Sequence, residues 1–359
     1  MEHTQPLARP TKHVIFIHGL LGSELVEAQN PETVHWGNST AILRLLFLPS
    51  TPLSQVDGTR LVTRGLTPNY QSVVRGLRLH LRQGATLEEY IYDWRLGVRD
   101  ASAQLQAMLE GAPEGTAIVA HSYGGLVALY GLASGSLSPA SVAKLNRIVL
   151  IASPVYGSTF ALLGLGQSLD FVKRLKPFLP VSDRWRVDWL LDRFPELFLR
   201  RLVPIFFSFQ SMFDMIPHDI NQTKLRLLRI PGTRTPQTSE RWPYWGSLPG
   251  EARRRKDEAR AAQAVIRANQ SRAEIVSIFS SAVTTTPHFC SVGAAPRYEL
   301  LSTADEHGDG IVAACCACVS SGVGLMHDLS WSDLGDGALG HSEILHHRRT
   351  HELLEELLA

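Results

Sequence analysis

Residues 117–125 read AIVAHSYGG, and this stretch decides the fold that the sequence predicts. Four apolar residues lead into HSYGG, a pattern typical of a strand, a tight turn and a helix with a serine at the apex. The usual form is G-x-S-x-G, and Ala120 stands at its first glycine. A serine hydroxyl attacks a carbonyl only when it is exposed and paired with a general base. Ser122 is therefore a candidate nucleophile, and a chance serine in a glycine-rich turn is the alternative reading.

A second motif, HVIFIHGLLG, occupies residues 13–22. Its β-branched and aromatic start predicts a buried parallel strand. In the α/β-hydrolase fold, a loop after an early strand donates one backbone N–H to the developing oxyanion, and the residue after the nucleophile donates the other. Leu20 and Tyr123 are accordingly the expected oxyanion-hole donors. His18 is expected to orient this loop rather than to act in catalysis.

The acid of a triad should follow the serine in this fold. Residues 303–312 read TADEHGDGIV, after an apolar stretch at 275–279 that predicts another strand. Asp309 lies between two glycines and is the first candidate for the acid. Asp305 remains its competitor.

The base should come last, and His341 fits because it lies on a glycine-bracketed loop before a helical pattern. It would remove the Ser122 proton, while Asp309 fixes the imidazole tautomer and stabilises the imidazolium. Three other histidines lie on or near the terminal helix and are expected to face solvent: His346, His347 and His351.

Several stretches together resemble the lecithin–cholesterol acyltransferase family. They follow the family order from about residue 18 to about residue 350: HGLLGSEL (18–25), Trp36, YDWR (92–95), AHSYGGL (120–126), IASPVYGS (151–158), SFQSMFDMIP (208–217), GDGIV (308–312) and His341. The resemblance implies Ser122 as nucleophile, Asp309 as acid, His341 as base and a lipid acyl ester as donor. It also makes Trp36 a candidate substrate residue.

The composition agrees with a globular enzyme. The chain has 359 residues, 44% of them hydrophobic, and a formal net charge of +1. This length permits one large core, and the charge suggests no nucleic-acid partner. Neither a secretory signal nor an apolar run of transmembrane length is visible. The clustered cysteines at 315, 316 and 318 are expected to be buried free thiols, which with the missing signal favours a cytoplasmic location.

Between the predicted strands at 147–152 and 275–279 lies an insertion, residues 155–273, expected to select the substrate. Its segment 185–209 is dense in aromatic and leucine residues interrupted by charges. Such a pattern suits an amphipathic lid over an acyl chain, with Phe206 and Phe207 as candidate lid residues, or ordinary packing of a cap. A charged, alanine-rich pattern at 251–274 predicts a helix with a solvated face, or one that meets anionic headgroups.

The sequence therefore predicts a single α/β-hydrolase domain over residues 1–359, with a mostly parallel central sheet, helices on both faces and a cap or lid at 155–273. Its expected activity is that of a serine acyl-ester hydrolase or O-acyltransferase on lipid esters, with water or an alcohol as acceptor. No metal or organic cofactor is expected, and the lid is a possible contact with a lipid surface. A non-lipid esterase or amidase, and an idle hydrolase fold used for binding, are the alternatives.

Overall fold

The computed structural model describes residues 11–47, 51–56, 60–81, 84–165, 185, 189, 192–218, 228–229, 249–268, 273–280, 283–285, 289–292, 297–300, 307–312, 314–317, 326–331 and 340–359. The strands are β1 (His13–Ile17), β2 (Ser23–Glu27), β3 (Asn30–Trp36), β4 (Leu61–Leu66), β5 (Thr86–Tyr90), β6 (Thr116–His121), β7 (Leu145–Ile151), β8 (Leu228–Arg229), β9 (Glu274–Ser280), β10 (Val283–Thr284), β11 (Phe289–Val292), β12 (Arg297–Leu300), β13 (His307–Gly308) and β14 (Met326–Trp331). The α-helices are α1 (Ser39–Phe47), α2 (Pro68–His80), α3 (Val98–Gly111), α4 (Tyr123–Ser134), α5 (Pro139–Ala143), α6 (Thr159–Leu165), α7 (Pro195–Phe206), α8 (Gln210–Asp214), α9 (Gly250–Arg267), α10 (Ala314–Ala317) and α11 (Arg348–Leu358).

The central sheet has six described strands in the order β14-β9-β7-β6-β1-β5. Every neighbouring pair in it is parallel. Its strands include all those that the sequence predicts for the core. Parallel strands joined through helices bury both faces of a sheet. The inner strands β1, β6, β7 and β9 are accordingly buried along nearly their whole length, whereas the edge strand β5 has exposed positions. The predicted α/β-hydrolase architecture is confirmed.

Alternate residues of each strand enter two different cores. In β1, Val14 and Phe16 pack in the core that includes buried residues of α2 and α11. Ile15 and Ile17 point to the opposite face and pack in the core that includes α3 and α4. This alternation follows from the two-residue period of a strand. Helices therefore cover both faces of the sheet, as the sequence predicts.

The region between β1 and β5 contains elements that the sequence analysis does not predict. It holds a three-stranded antiparallel sheet in the order β3-β2-β4, together with α1 and α2. Strands with exposed or half-buried positions, such as β3, lack the continuous apolar run of the inner strands of the central sheet. This small sheet lies directly after the HGLLG loop and begins at Ser23.

The structure describes the predicted insertion, residues 155–273, only in part. That these residues form one cap or lid remains a prediction. Residues 166–184, 186–188, 190–191, 219–227, 230–248 and 269–272 of it lie outside the described residues. The helix predicted over 251–274 is shorter than expected, because α9 ends at Arg267 and Glu274 already begins β9. An ion pair one turn apart stabilises this helix, with Arg255 Nη2 at 2.5 Å from Glu251 Oε1.

The contact between β1 and α4 allows a direct test of the fold. A Cβ added to Gly124 would lie 2.5 Å from the His18 carbonyl oxygen and 2.8 Å from that of Ile17. Gly124→Ala should therefore lower the free energy of unfolding by about 1–3 kcal/mol, as overpacking against backbone does. Gly111→Ala is the control, because a Cβ there meets no atom within 4 Å; it should be neutral or stabilising by up to about 1 kcal/mol. Denaturant unfolding measures both, and equal midpoints for Gly124→Ala and wild type would contradict the close approach.

Candidate active site

The turn between β6 and α4 carries Ser122 in a strained conformation. Its φ is 53°, a left-handed value uncommon for residues other than glycine. Its backbone N–H donates to the Ile151 carbonyl at 2.9 Å, and its own carbonyl accepts from Gly125 N–H at 3.0 Å. The turn therefore presents the serine side chain at the carboxyl end of the central sheet, between a strand and a helix. Strain of this kind concentrates at functional sites.

The structure brings Ser122, His341 and Asp309 into one hydrogen-bonded line. Ser122 Oγ lies 2.8 Å from His341 Nε2, and His341 Nδ1 lies 2.7 Å from Asp309 Oδ2. The carboxylate accepts a hydrogen bond from Nδ1–H, so the neutral imidazole has no proton on Nε2, and Nε2 accepts from the serine hydroxyl. All three side chains are at most 5% exposed. This arrangement is able to transfer a proton from the serine while keeping bulk water away.

The acid is held by its own loop. Asp309 Oδ1 accepts hydrogen bonds from the N–H groups of Ile311 at 2.9 Å and Val312 at 2.7 Å. The turn requires Gly310, whose φ is 88°. These bonds leave Oδ2 directed at His341. Asp305, the competitor for this role, lies outside the described residues.

The amides of the HGLLG loop differ in whether they have a hydrogen-bond acceptor. The Gly19 N–H donates to Tyr70 Oη at 2.9 Å. Among the described residues, no acceptor contacts the Leu20 N–H. Tyr123 opens α4, and the first amides of a helix have no partner within it. Leu20 and Tyr123 thus retain the unoccupied amides that an oxyanion hole needs, and their assignment to it remains a prediction.

The carbonyl groups of the same loop accept hydrogen bonds from buried side chains. The indole N–H of Trp36 donates to the Leu21 carbonyl at 3.0 Å, and Tyr92 Oη donates to the His18 carbonyl at 2.9 Å. His18 Nδ1–H donates to the Gly19 carbonyl at 2.8 Å, and the ring stacks on Tyr92. Burial lowers the pKa of His18 to about 4. His18 is therefore neutral and orients the loop, and Trp36, which is buried, contacts the loop as a brace.

Other predicted residues have these positions. Phe206 is buried at the end of α7 and packs edge-on against Phe209, whereas Phe207 is half-buried and packs against Phe213.

Arg95 is fully buried and binds Asp93, an ion pair that braces its loop. Cys316 is a buried free thiol, and Cys318 lies outside the described residues.

The histidines of the terminal helix correct one expectation. His346 is exposed and His347 half-buried. His351 is buried. Its Nε2 donates to the Leu345 carbonyl oxygen at 2.7 Å, and this bond satisfies the ring away from water. The prediction that His351 faces solvent is therefore wrong.

A buried carboxyl group, Asp214, contacts the residue that follows Ser122. Tyr123 Oη lies 2.8 Å from Asp214 Oδ2 and 3.0 Å from the Leu96 carbonyl oxygen. A phenol has one proton and cannot donate fully to two acceptors. An ionised Asp214 accepts from Tyr123, whereas a protonated Asp214 is able to donate to Tyr123 Oη and leave the phenol proton for Leu96. Burial raises the pKa of Asp214 to about 6, against hydrogen bonds from Gln210, Val98 and Tyr123 that lower it.

Ser158 connects the acid loop with the segment that carries Asp214. Its Oγ donates to the Ile311 carbonyl, and its N–H donates to the Met215 carbonyl at 2.7 Å. The adjacent Gly157 has a φ of 93° and no room for a Cβ beside Pro217. The motifs IASPVYGS and SFQSMFDMIP are therefore structural braces of the site. The sequence analysis assigns no role to Ser158, Asp214 or Tyr70. Ser158 and Asp214 lie in two of the motifs that carry the family resemblance, and this was the only signal that pointed to them.

The described helices include none that is long and apolar enough to cross a membrane.

Comparison with known proteins identifies the family. The model of the alpha/beta hydrolase family matches residues 14–302, and the chain therefore belongs to this family. No curated protein sequence matches the chain. The specific resemblance to lecithin–cholesterol acyltransferases is not confirmed by these comparisons.

Among solved structures, a chain of the Tle4–Tli4 complex is similar over 96% of this chain and 97% of its own length, with a TM-score of 0.58 and 10% identity. The lipase BlEst2 of Bacillus licheniformis in its mature form aligns over 99% of this chain and 95% of its own length, with a TM-score of 0.37 and 11% identity. Phospholipase PlaB of Legionella pneumophila aligns over 46% of this chain and 29% of its own length, with a TM-score of 0.23 and 18% identity. The first of these supports the fold.

The position of Asp214 predicts a pH-dependent stability. Its folded pKa of about 6 exceeds the ordinary value of 3.8, so its contribution to stability is complete below about pH 4 and is lost as the pH rises through about 6. The free energy of unfolding of wild type, measured relative to Asp214→Asn, should fall between these values. The fall is about 3 kcal/mol at most, since one pKa unit corresponds to about 1.4 kcal/mol.

Urea unfolding at a series of pH values measures this difference. Asp257→Asn, which removes an exposed carboxylate on α9, is the control, and its free energy of unfolding should change with pH in parallel with that of wild type. A difference in free energy of unfolding between wild type and Asp214→Asn that stays constant with pH would contradict the raised pKa of Asp214.

Proposed function

We propose that the protein is a serine-dependent acyl-ester hydrolase or O-acyltransferase whose substrates are lipid esters. The hydrogen-bonded line from Ser122 through His341 to Asp309, at the turn of a hydrolase fold, supports this reaction. Hydrolase chemistry follows the family. The lipid substrate rests on the resemblance stated above and on the aromatic and leucine-rich segment 185–209.

In the first half-reaction, Ser122 Oγ attacks the ester carbonyl carbon while its proton passes to His341 Nε2. The carbonyl π electrons move to the oxygen, and the Leu20 and Tyr123 amides donate to this oxyanion. Asp309 stabilises the imidazolium without taking its proton. When the tetrahedral intermediate collapses, the ester C–O bond breaks and His341 protonates the departing alkoxide. An acyl-Ser122 ester and a free alcohol result.

The second half-reaction repeats these steps with a different nucleophile. His341 removes a proton from water or from an acceptor alcohol, and the resulting oxygen attacks the acyl-enzyme carbonyl. The Ser122–acyl bond breaks, and His341 returns the proton to Ser122 Oγ. Water gives a free acid, whereas an alcohol gives a new ester. The low exposure of the triad favours an acceptor that is bound in the site over bulk water.

The insertion is proposed as the cover of the acyl chain. Leu202, Ile205 and Phe206 of α7 are buried in the same core as the oxyanion loop and the first turn of α4. Half-buried Phe207 packs against this core. Trp185 and Trp189, in the same segment, are exposed at 64% and 59%. An apolar interior and an exposed aromatic surface suit a segment that meets both an acyl chain and a lipid surface.

The first test concerns the three proposed catalytic residues. Ser122→Ala should fold normally and lose turnover by about 10⁴-fold or more, because the residues of a triad act as a unit. Asp309→Asn and His341→Gln should lose activity similarly, whereas His347→Gln should retain it. A fluorophosphonate probe should label Ser122 in wild type, as located by mass spectrometry. An adduct on Ser153 or Ser158, or no labelling of wild type, would contradict the proposal.

The second test concerns the substrate. Each methylene buried in an acyl pocket contributes about 0.8 kcal/mol, close to fourfold in kcat/KM at best. We expect kcat/KM to rise with acyl length over the first several carbons and then to level off. Phe207→Ser should flatten this rise while short esters are still cleaved, and Leu79→Ala, an exposed position on α2, should not.

Equal turnover of acetyl and long-chain esters by wild type would replace the lipid assignment with a non-lipid esterase. Adding an alcohol during turnover distinguishes the two proposed activities. A new ester formed at the expense of free acid indicates an acyltransferase, and unchanged free acid indicates a hydrolase.

A further inference from the structure

A continuous chain of hydrogen bonds joins the two loops on either side of Ser122 without passing through the triad. The Gly19 N–H donates to Tyr70 Oη at 2.9 Å. Tyr70 Oη and His121 Nδ1 are 2.7 Å apart, and His121 Nε2 lies 3.1 Å from the carbonyl oxygen of His341. One end of the chain is therefore the backbone of the oxyanion loop. The other end is the backbone of the residue that serves as base.

The direction of every bond in this chain is fixed by its ends. The Gly19 amide only donates and the His341 carbonyl only accepts. Tyr70 Oη consequently accepts from Gly19 and donates its proton to His121 Nδ1, which leaves the proton of the imidazole on Nε2. Charged His121 would instead donate from Nδ1 to Tyr70 Oη, which would leave the phenol proton without this acceptor.

Burial keeps His121 in the required state. Desolvation, with a smaller effect of the His341 side chain, lowers the pKa of His121 well below its ordinary value. His121 is only 1% exposed. It is therefore neutral over the pH range in which a histidine-dependent hydrolase works.

We propose that Tyr70 and His121 are positioning residues, which hold the oxyanion loop and the His341 loop at a fixed separation across Ser122. His121 is also bonded covalently to Ser122, so the chain ties all three parts of the site together. Because this role presupposes the acyl-transfer chemistry proposed above, it deepens that function. Neither residue contacts the reacting atoms.

A small cavity lies beside these hydrogen bonds. It has a volume of about 20 Å³, room for about one water molecule. Tyr70, His121 and Ser342, the residue after the base, line it together with Leu21 of the oxyanion loop. Packing between the two loops is therefore incomplete at this point, although Tyr70 and Leu345 share a core, and the directed bonds add to the contacts that hold the loops. The geometry depends on directed bonds, and a shift of about 1 Å in a catalytic group is able to cost about 100-fold in rate.

Tyr70→Phe tests the role with the smallest change available. The ring stays in its core next to Phe16, at a centroid distance of 6.1 Å, and only the hydroxyl is lost. We expect kcat to fall by about 10- to 100-fold with KM within about twofold of wild type. The rate of fluorophosphonate labelling at Ser122 should fall by a similar factor. Tyr90→Phe is the matched control, because it removes another buried hydroxyl, one that donates to the Ala101 carbonyl at 2.5 Å.

Tyr90→Phe should lower the melting temperature by about as much as Tyr70→Phe and leave kcat within about twofold of wild type. A purely structural role for Tyr70 would therefore make the two variants alike in all readouts. It would also overturn the proposal if Tyr70→Phe raised KM and left kcat unchanged, since that result indicates substrate contact.

A double-mutant cycle tests whether the two residues act as one unit. His121→Leu removes both bonds of the imidazole and should lower kcat at least as much as Tyr70→Phe. The double variant should be within about threefold of His121→Leu, because the chain is already broken. Independent, multiplying losses would contradict a single chain. His121→Gln, whose amide both accepts and donates, should recover part of the rate lost in His121→Leu.

Labelling of wild type separates this role from the proposed function. If wild type is labelled at Ser122 and Tyr70→Phe matches wild type in kcat, the positioning role is wrong and the proposed function stands. If wild type is not labelled, the proposed function fails and the positioning role fails with it.

Discussion

The close approach of β1 to the first turn of α4 is the constraint on which the site depends. The backbone of Gly124 passes so near the carbonyls of Ile17 and His18 that no side chain fits between them. This approach brings the loop after β1 beside the turn at Ser122, where a Cβ on Gly19 would lie 2.8 Å from Ser122 Cβ. The strained φ of the serine is sustained because the strand and the helix on both sides of it are buried. The same contact places the HGLLG loop, which includes Leu20, next to the turn at which Tyr123 begins α4.

Around this contact, the site is held by polar groups that are individually costly to bury. Asp214, His121, Tyr70 and Ser158 are each at most 5% exposed, and each has hydrogen-bond partners. A buried polar group without a partner costs about 1–3 kcal/mol, so these bonds are effectively obligatory. Together they connect the oxyanion loop, the acid loop, the base loop and the segment before Pro217. The positions of the loops therefore depend on one another, and a change in any one of these side chains acts on several parts of the site.

The sequence predicts the parts of this structure that have a local signature. Buried parallel strands are apolar throughout, as in β1 and β6, and the turn at Ser122 has small residues around it. The order of serine, acid and base nominated Asp309 and His341, which the structure brings to hydrogen-bonding distance of each other. The small antiparallel sheet was missed because its strands contain exposed and half-buried positions and lack a continuous apolar run. His351 was placed in solvent because its partner is a backbone carbonyl, which no side-chain pattern reveals.

Tyr70 and Asp214 were missed for another reason. Their partners His121 and Tyr123 lie 51 and 91 residues away in the chain, and a tyrosine or aspartate in a helix is ordinarily a core or surface residue. Ser122 and His341 are separated still further, by 219 residues. Synthesis from the amino terminus thus makes the serine long before its base exists. A nascent chain that ends anywhere between these residues carries the serine without the imidazole that is its hydrogen-bond partner in the folded chain. The hydrogen-bonded line at Ser122 therefore forms only after the segment containing His341 has been made and has folded onto the sheet.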